Sequence, residues 1–157
     1  MQSAFLIGFV TLFTWALDWG SKYWASLSLH AGTPLVIWEN LLHLRLCHNY
    51  GMALSMFEHN TFLPYLLPLL AIAYAIWHIR KIRLTPYLCL AFGMLAGGFL
   101  GNYVERLITG FVVDMLYFPF MPWFVCNIAD VVISVAILLL IFSLFFRPND
   151  WRERHVD

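Results

Sequence analysis

Two aspartates, Asp114 and Asp130, flank the aromatic stretch in "GFVVDMLYF…FVCNIAD", and Asn127 stands just before the second. Carboxylates that share one small face cannot both ionise easily, so they hold a proton between them across neutral pH. One of them then takes a proton from water while the other donates to a carbonyl oxygen. That is peptide hydrolysis without a metal or a nucleophilic serine. Asn127 or Arg106 would orient the strand being cut or steady developing negative charge. The plainer alternative makes each acid a solvated interfacial group, with Asp130 compensating the positive end of a helix dipole.

Other polar residues sit in equally apolar surroundings. Asp18 and Lys22 are four apart, one above the other on a helix face, and read as a brace for a nearby site. Asn102, Glu105 and Arg106 fall at i, i+3 and i+4 and share a helix face with Gly98. Glu105 and Arg106 are adjacent, so they diverge by about 100° on a helix and need not touch. Two rival constellations are weaker. Cys47 and His48 are neighbours in an alternating segment and point to opposite faces. His43, His48, His59 and Glu58 lack the HExxH or paired-cysteine spacing of a metal site, so neither a metal nor a cofactor is expected.

The elements that must position these groups follow from composition. The chain has 157 residues, 62% of them hydrophobic and 11% charged, well above the apolar share of soluble domains. Four runs, 4–27, 61–79, 86–108 and 128–146, are long enough to cross a hydrocarbon core of about 30 Å. The expectation is an all-α membrane protein: one domain over 1–157, four transmembrane helices and a small extracytoplasmic β-structure. Net charge is zero, which gives no reason to expect a nucleic-acid partner. Arg80, Lys81 and Arg83 precede the third run, and Arg147, Arg152 and Arg154 follow the fourth. The positive-inside rule puts both clusters and both termini in the cytoplasm, with 28–60 and 109–127 outside. The first run carries Asp18 and Lys22 and has no basic leader, unlike a cleavable signal peptide. Three cysteines, Cys47, Cys89 and Cys126, make no disulfide framework, and a Cys47–Cys126 bridge is not expected.

Leu42, Leu44 and Leu46 alternate with His43, Arg45 and Cys47, the period of a strand. Asn49, Tyr50 and Gly51 supply a turn, and 53–57 is the expected return strand. "FVVDML" is extended too. Gly93, Gly97 and Gly101 recur every four residues, a face on which helices pack closely in lipid.

With those residues in hand, the chain resembles the lipoprotein signal peptidase (type II signal peptidase) family along nearly its whole length. "LDWGSKY" resembles the family's first-helix Asp and Lys, here Asp18 and Lys22. "HNYGMALS" resembles its NxGxAF-type motif through Asn49, Gly51 and Ala53. "GGFLGNYVERLITGFVVDM" resembles GGxxGNxxDR…VxDF, carrying Asn102, Arg106 and Asp114. "CNIAD" resembles FNxAD, carrying Asn127, Ala129 and Asp130. The resemblance implies a bacterial inner-membrane aspartyl endopeptidase with Asp114 and Asp130 catalytic and the other matched residues supporting. It further implies a substrate: a diacylglyceryl-modified prolipoprotein, cut just before the lipidated cysteine. A monomer working against membrane lipid is expected. Three positions depart from the pattern: Glu105 for Asp, Leu54 for an aromatic residue and Cys126 for Phe. A non-catalytic paralogue or a small ion- or proton-coupled membrane protein is the alternative; its relay residues would be spread through bilayer depth.

Overall fold

The apolar runs form helices whose ends are marked by local chemistry. A computed structural model describes residues 2–30, 32–51 and 63–153. Helix α1 is Gln2–Ser28, α2 is Leu63–Ile79, α3 is Pro86–Thr109 and α4 is Ile128–Phe146. Helix α3 starts where Thr85 caps the Leu88 N–H, with Pro86 in the first turn. It stops at Gly110, whose φ of 82° suits glycine and whose N–H closes on the Arg106 carbonyl. Among the described residues three helices, α1, α3 and α4, are long and apolar enough to cross a membrane. The expected second span, 61–79, falls on α2, which is described over 17 residues and is a shorter apolar helix.

The glycines explain how the helices meet. A Cβ on Gly93 would stand 2.8 Å from the Val10 Cβ, and one on Gly97 would stand 2.7 Å from the Thr14 Cβ. On the neighbouring face, a Cβ on Gly98 would lie 2.9 Å from the Ala129 carbonyl oxygen. Helix α3 is thus the middle layer, with its backbone pressed against α1 on one side and α4 on the other. Lipid is as apolar as leucine, so this close fit, and not exclusion of water, holds the helices together.

Among the described residues four short strands cover the end where α1 and α3 finish and α4 begins. They are β1 (Leu35–Trp38), β2 (Leu42–Asn49), β3 (Val112–Tyr117) and β4 (Val125–Cys126). The order is β1-β2-β3-β4, and all three pairings are antiparallel. Strands β2 and β3 match the expected extended segments; β1 and β4 were not foreseen, because each is too short to show alternation. The expected return strand at 53–57 lies outside the described residues.

The two-residue alternation predicted along β2 needs a correction. Leu44 pairs with Leu116 but Cys47 pairs with Asp114, so β2 carries one extra residue. Unbroken alternation would set Leu46 opposite Asp114 and turn Asn49 to the other face of the sheet. The bulge brings Asn49 onto the face of Asp114. Met115, Leu29 and Ala25 form the small core that seats the sheet on α1.

Candidate active site

Asp114 sits in the middle of β3 and is 2% exposed. Asp130 occupies the first turn of α4, where Asn127 is the N-cap. The Asn127 Oδ1 accepts the Asp130 N–H at 3.0 Å, and the Asn127 N–H donates back to Asp130 Oδ2 at 3.2 Å. This reciprocal cap satisfies two backbone donors that a helix start would otherwise leave bare. The helix-capping alternative for Asp130 is therefore correct as a description of its backbone role. It does not exclude another role for the same carboxylate.

Every oxygen of the two carboxylates accepts a fixed donor. Asp114 Oδ1 takes the Asn127 Nδ2 at 2.7 Å, and Asp114 Oδ2 takes the Asn49 Nδ2 at 3.0 Å. Asp130 Oδ1 takes the Asn102 Nδ2 at 2.8 Å, and Asp130 Oδ2 takes the Asn127 N–H already described. Asn127 also donates to Asn102 Oδ1 at 3.0 Å, so one amide ties both acids together.

Further partners lock these amides. Lys22 Nζ donates to Asn102 Oδ1 at 2.8 Å. Lysine has only donors, so the Asn102 oxygen must face it and the amide nitrogen must face Asp130. Arg106 Nη2 donates to the Gly51 carbonyl at 2.6 Å, and the Gly51 N–H donates to Asn49 Oδ1 at 3.0 Å. Asn49 is thereby turned with its nitrogen toward Asp114. Each acid rests on an asparagine, and each of those asparagines is oriented through a buried cation.

Lys22 is paired with Asp18 at 2.7 Å, as the four-residue spacing predicts, and also with Glu105 at 3.0 Å. The second pairing was missed. Spacing along α3 relates Glu105 only to its own helix, and a contact to α1 across 83 residues leaves no local signal. Glu105 and Arg106 do diverge: one meets α1 and the other meets Gly51. Asp18 reaches further as well, since its Oδ1 accepts the Ala129 N–H at 2.8 Å and so caps the first turn of α4. Gly101 packs against the same carboxylate.

The two acids open into a cavity of about 260 Å³ whose polar lining includes Asn49, Asn102, Arg106, Asp114, Asn127 and Asp130. Phe99, Tyr103, Val112, Phe124, Val125 and Ile133 make it apolar elsewhere. Burial, reinforced by the charge of Asp130, pushes the Asp114 carboxyl up to about 7. Burial likewise raises the nearby Cys126 thiol, to about 12, so it stays protonated and is no nucleophile.

The rival groups lie elsewhere. Cys47 faces Asp114 across the ladder while His48 faces Val113, so the two do not act together. His48 stacks on Phe111 at 4.2 Å, and His43 packs on Tyr117. His59 and Glu58 lie outside the described residues. Cys47 and Cys126 stand on the two strands flanking β3. Two strand spacings, roughly 9–10 Å, separate them, too far for a disulfide.

Residues 10–146 match the profile of the signal peptidase (SPase) II family. The chain belongs to that family. A lipoprotein signal peptidase of Hydrogenovibrio crunogenus is 30% identical over 162 residues, covering 98% of this chain and 94% of that one. One from Clostridioides difficile is 31% identical over 134 residues, covering 85% and 90%. One from Streptococcus agalactiae serotype Ia is 28% identical over 149 residues, covering 94% and 93%. The fold resembles a bacterial membrane enzyme solved by the in meso method at 2.3 Å, with a TM-score of 0.76 and 22% identity over 99% of this chain and 94% of that one. Signal peptidase II membership makes this chain a membrane protease that removes signal peptides.

Proposed function

We propose that the chain cuts diacylglyceryl-modified prolipoproteins just before the lipidated cysteine, by aspartyl chemistry at Asp114 and Asp130. That prolipoproteins lose their signal peptides to this protein follows from its family. The observation that carries the mechanism is the convergence of two carboxylates, all four oxygens held by fixed donors, on one largely apolar cavity. Fixed donors need no reorganisation as charge shifts during reaction, which is where such sites gain rate.

The shared proton rests on Asp114, nearly closed to solvent and bordered by the second acid. Asp130, whose oxygens take the Asn127 N–H and the Asn102 amide, is the unprotonated partner. Its carboxylate removes a proton from water as the water oxygen bonds to the scissile carbonyl carbon. Asp114 gives its proton to the carbonyl oxygen, forming a neutral gem-diol. Asp130 then passes its proton to the departing nitrogen while Asp114 recovers one from the diol. The C–N bond breaks, and both acids return to their starting states.

Arg80, Lys81 and Arg83 lie at the end of the bundle opposite the aspartates, where the Arg83 N–H donates to the Arg152 carbonyl at 2.9 Å. Cations gathered at one end support a cytoplasmic location for it, and hence an active site at the outer face of the bacterial inner membrane. There a scissile bond beside a lipid anchor would lie. With α2 as a short fourth span, both termini are cytoplasmic, and residues 1–157 act as one monomeric peptidase domain. The ion-relay alternative is disfavoured by the same geometry: the buried Asp18, Lys22, Arg106 and Asp114 all gather at one end.

The test uses purified protein in lipid with a diacylated prolipoprotein, reading the new N-terminus by mass spectrometry. Cleavage directly before the lipidated cysteine is expected. Equal cleavage of unlipidated precursor would overturn the substrate, and cleavage by Asp114→Asn would overturn the chemistry.

A further inference from the structure

At the end remote from the aspartates, the chain after α4 folds back on itself. A 3-10 turn, Pro148–Trp151, sets the Trp151 ring 5.8 Å from His78 and edge-on to Phe92. The indole N–H donates to the buried Ser143 hydroxyl at 3.0 Å. A bridge between Ile82 and Glu153 joins this turn to the α2–α3 connection. Among the described residues the fold-back gathers five exposed cations, Arg80, Lys81, Arg83, Arg147 and Arg152, against two acids, Asp150 and Glu153. Asp150 is buried and bound to Arg147 Nε at 2.7 Å.

Beside this knot runs a groove of about 660 Å³ along α4, walled by Tyr87, Leu138, Leu139, Phe142 and Phe146. The Tyr87 hydroxyl donates to the Leu139 carbonyl at 3.0 Å, tying its floor together. The Arg147 guanidinium lies 4.4 Å over the Tyr87 ring, fixed there by Asp150. The apolar groove thus ends beside a guanidinium held in place by Asp150 and Tyr87.

We propose that this groove is a binding site for one glycerophospholipid with an anionic headgroup. An acyl chain lies along Leu138, Phe142 and Phe146, and the phosphate meets Arg147. Charge decides the lipid class: five cations against two acids favour a headgroup of net negative charge over a zwitterionic one. The planar guanidinium suits phosphate because it presents paired donors, which a lysine there would not. None of these residues touches the aspartate cavity, so the site is separate from the peptidase chemistry.

Native mass spectrometry on the full chain in a neutral detergent, titrated with phosphatidylglycerol or phosphatidylcholine of the same acyl chains, tests this. One saturable phosphatidylglycerol per chain is expected, bound more tightly than phosphatidylcholine. Arg147→Gln should weaken it about fivefold, the factor one interfacial cation supplies. The double variant Arg147→Gln/Asp150→Asn should do the same without leaving a buried acid unpaired. Leu138→Trp, filling the groove from an exposed position, should also lower occupancy, while Arg80→Gln, outside the groove's lining, should cost less than Arg147→Gln. Equal loss with Arg80→Gln would reveal only diffuse surface charge and overturn the site. Equal phosphatidylcholine binding would overturn the headgroup class, and competition by glycerol phosphate would overturn the lipid.

Discussion

Lys22 at one end of the bundle and Arg147 at the other are both cations set among apolar helices. Lys22 is buried and meets Asp18, Asn102 and Glu105 within 3.0 Å. Arg147 has a side chain 44% exposed, one carboxylate partner and an aromatic ring beneath it. A buried ion pair is weak evidence for stability, since removing charges from water offsets most of the attraction. Its persistence at the aspartate end therefore points to geometry that apolar packing could not supply: Lys22 fixes which way the Asn102 amide faces. The arginine end needs no such precision. Stacked and half-exposed, its cations keep their hydration.

The sharpest break of this contrast is at the acids. Asp114→Asn or Asp130→Asn should lower cleavage by about a thousandfold or more, because each isosteric amide deletes a proton donor or acceptor. Mass spectrometry of accumulated precursor reads it. Lys22→Met comes next and leaves the buried Asp18 and the partly buried Glu105 without their cation. Loss of about 3–5 kcal/mol is expected in thermal or denaturant unfolding. Adding Asp18→Asn should restore part of it, so the double change costs less than the sum. Strict additivity would mean that the two do not act as a pair.

Arg106→Ala should reduce kcat by about a hundredfold with folded yield largely kept, since freeing Gly51 lets Asn49 and then Asp114 drift. A change in KM alone would show instead that Arg106 only holds substrate.

A pH series sharpens the same point. In the proposed chemistry Asp114 carries the proton, so kcat/KM should fall as pH rises through about 7. Stability follows the same sign. The folded value lies above the unfolded one, so the native state binds the extra proton between about 4 and 7, and stability is lost as pH rises across that window. Asp114→Asn escapes this loss. Its unfolding midpoint relative to the native chain should rise from pH 4 to 7 and then level off.

The smallest effect belongs to Glu105→Asp. Shortening by about 1.3 Å should leave cleavage within about threefold, because the flexible lysine stem can follow the carboxylate. Glu105→Ala should be worse but milder than Asp114→Asn.

Much of this arrangement was legible along the chain because local geometry repeats. Helical spacing set Lys22 over Asp18, four-residue glycines marked the face of α3, and apolar length gave α1, α3 and α4. The motifs around Asn49, Asn102, Asp114 and Asp130 supplied the family. Residues that complete the cavity, such as Phe99, Phe124 and Ile133, carried no sign, since an aromatic or aliphatic side chain in an apolar segment looks like any other.

The sequence by itself determined which segments are apolar enough for a bilayer and which polar residues intrude upon them, because periodicity and hydrophobicity are properties of neighbours in the chain. Only the tertiary structure decided what those residues touch. The extra residue in β2 turns Asn49 onto the face of Asp114. Glu105 finds Lys22 on another helix, and Asp18 caps a helix that begins 110 residues later. Register and helix packing act between distant segments, and a shift of one residue in either would exchange the partners while leaving every local pattern intact.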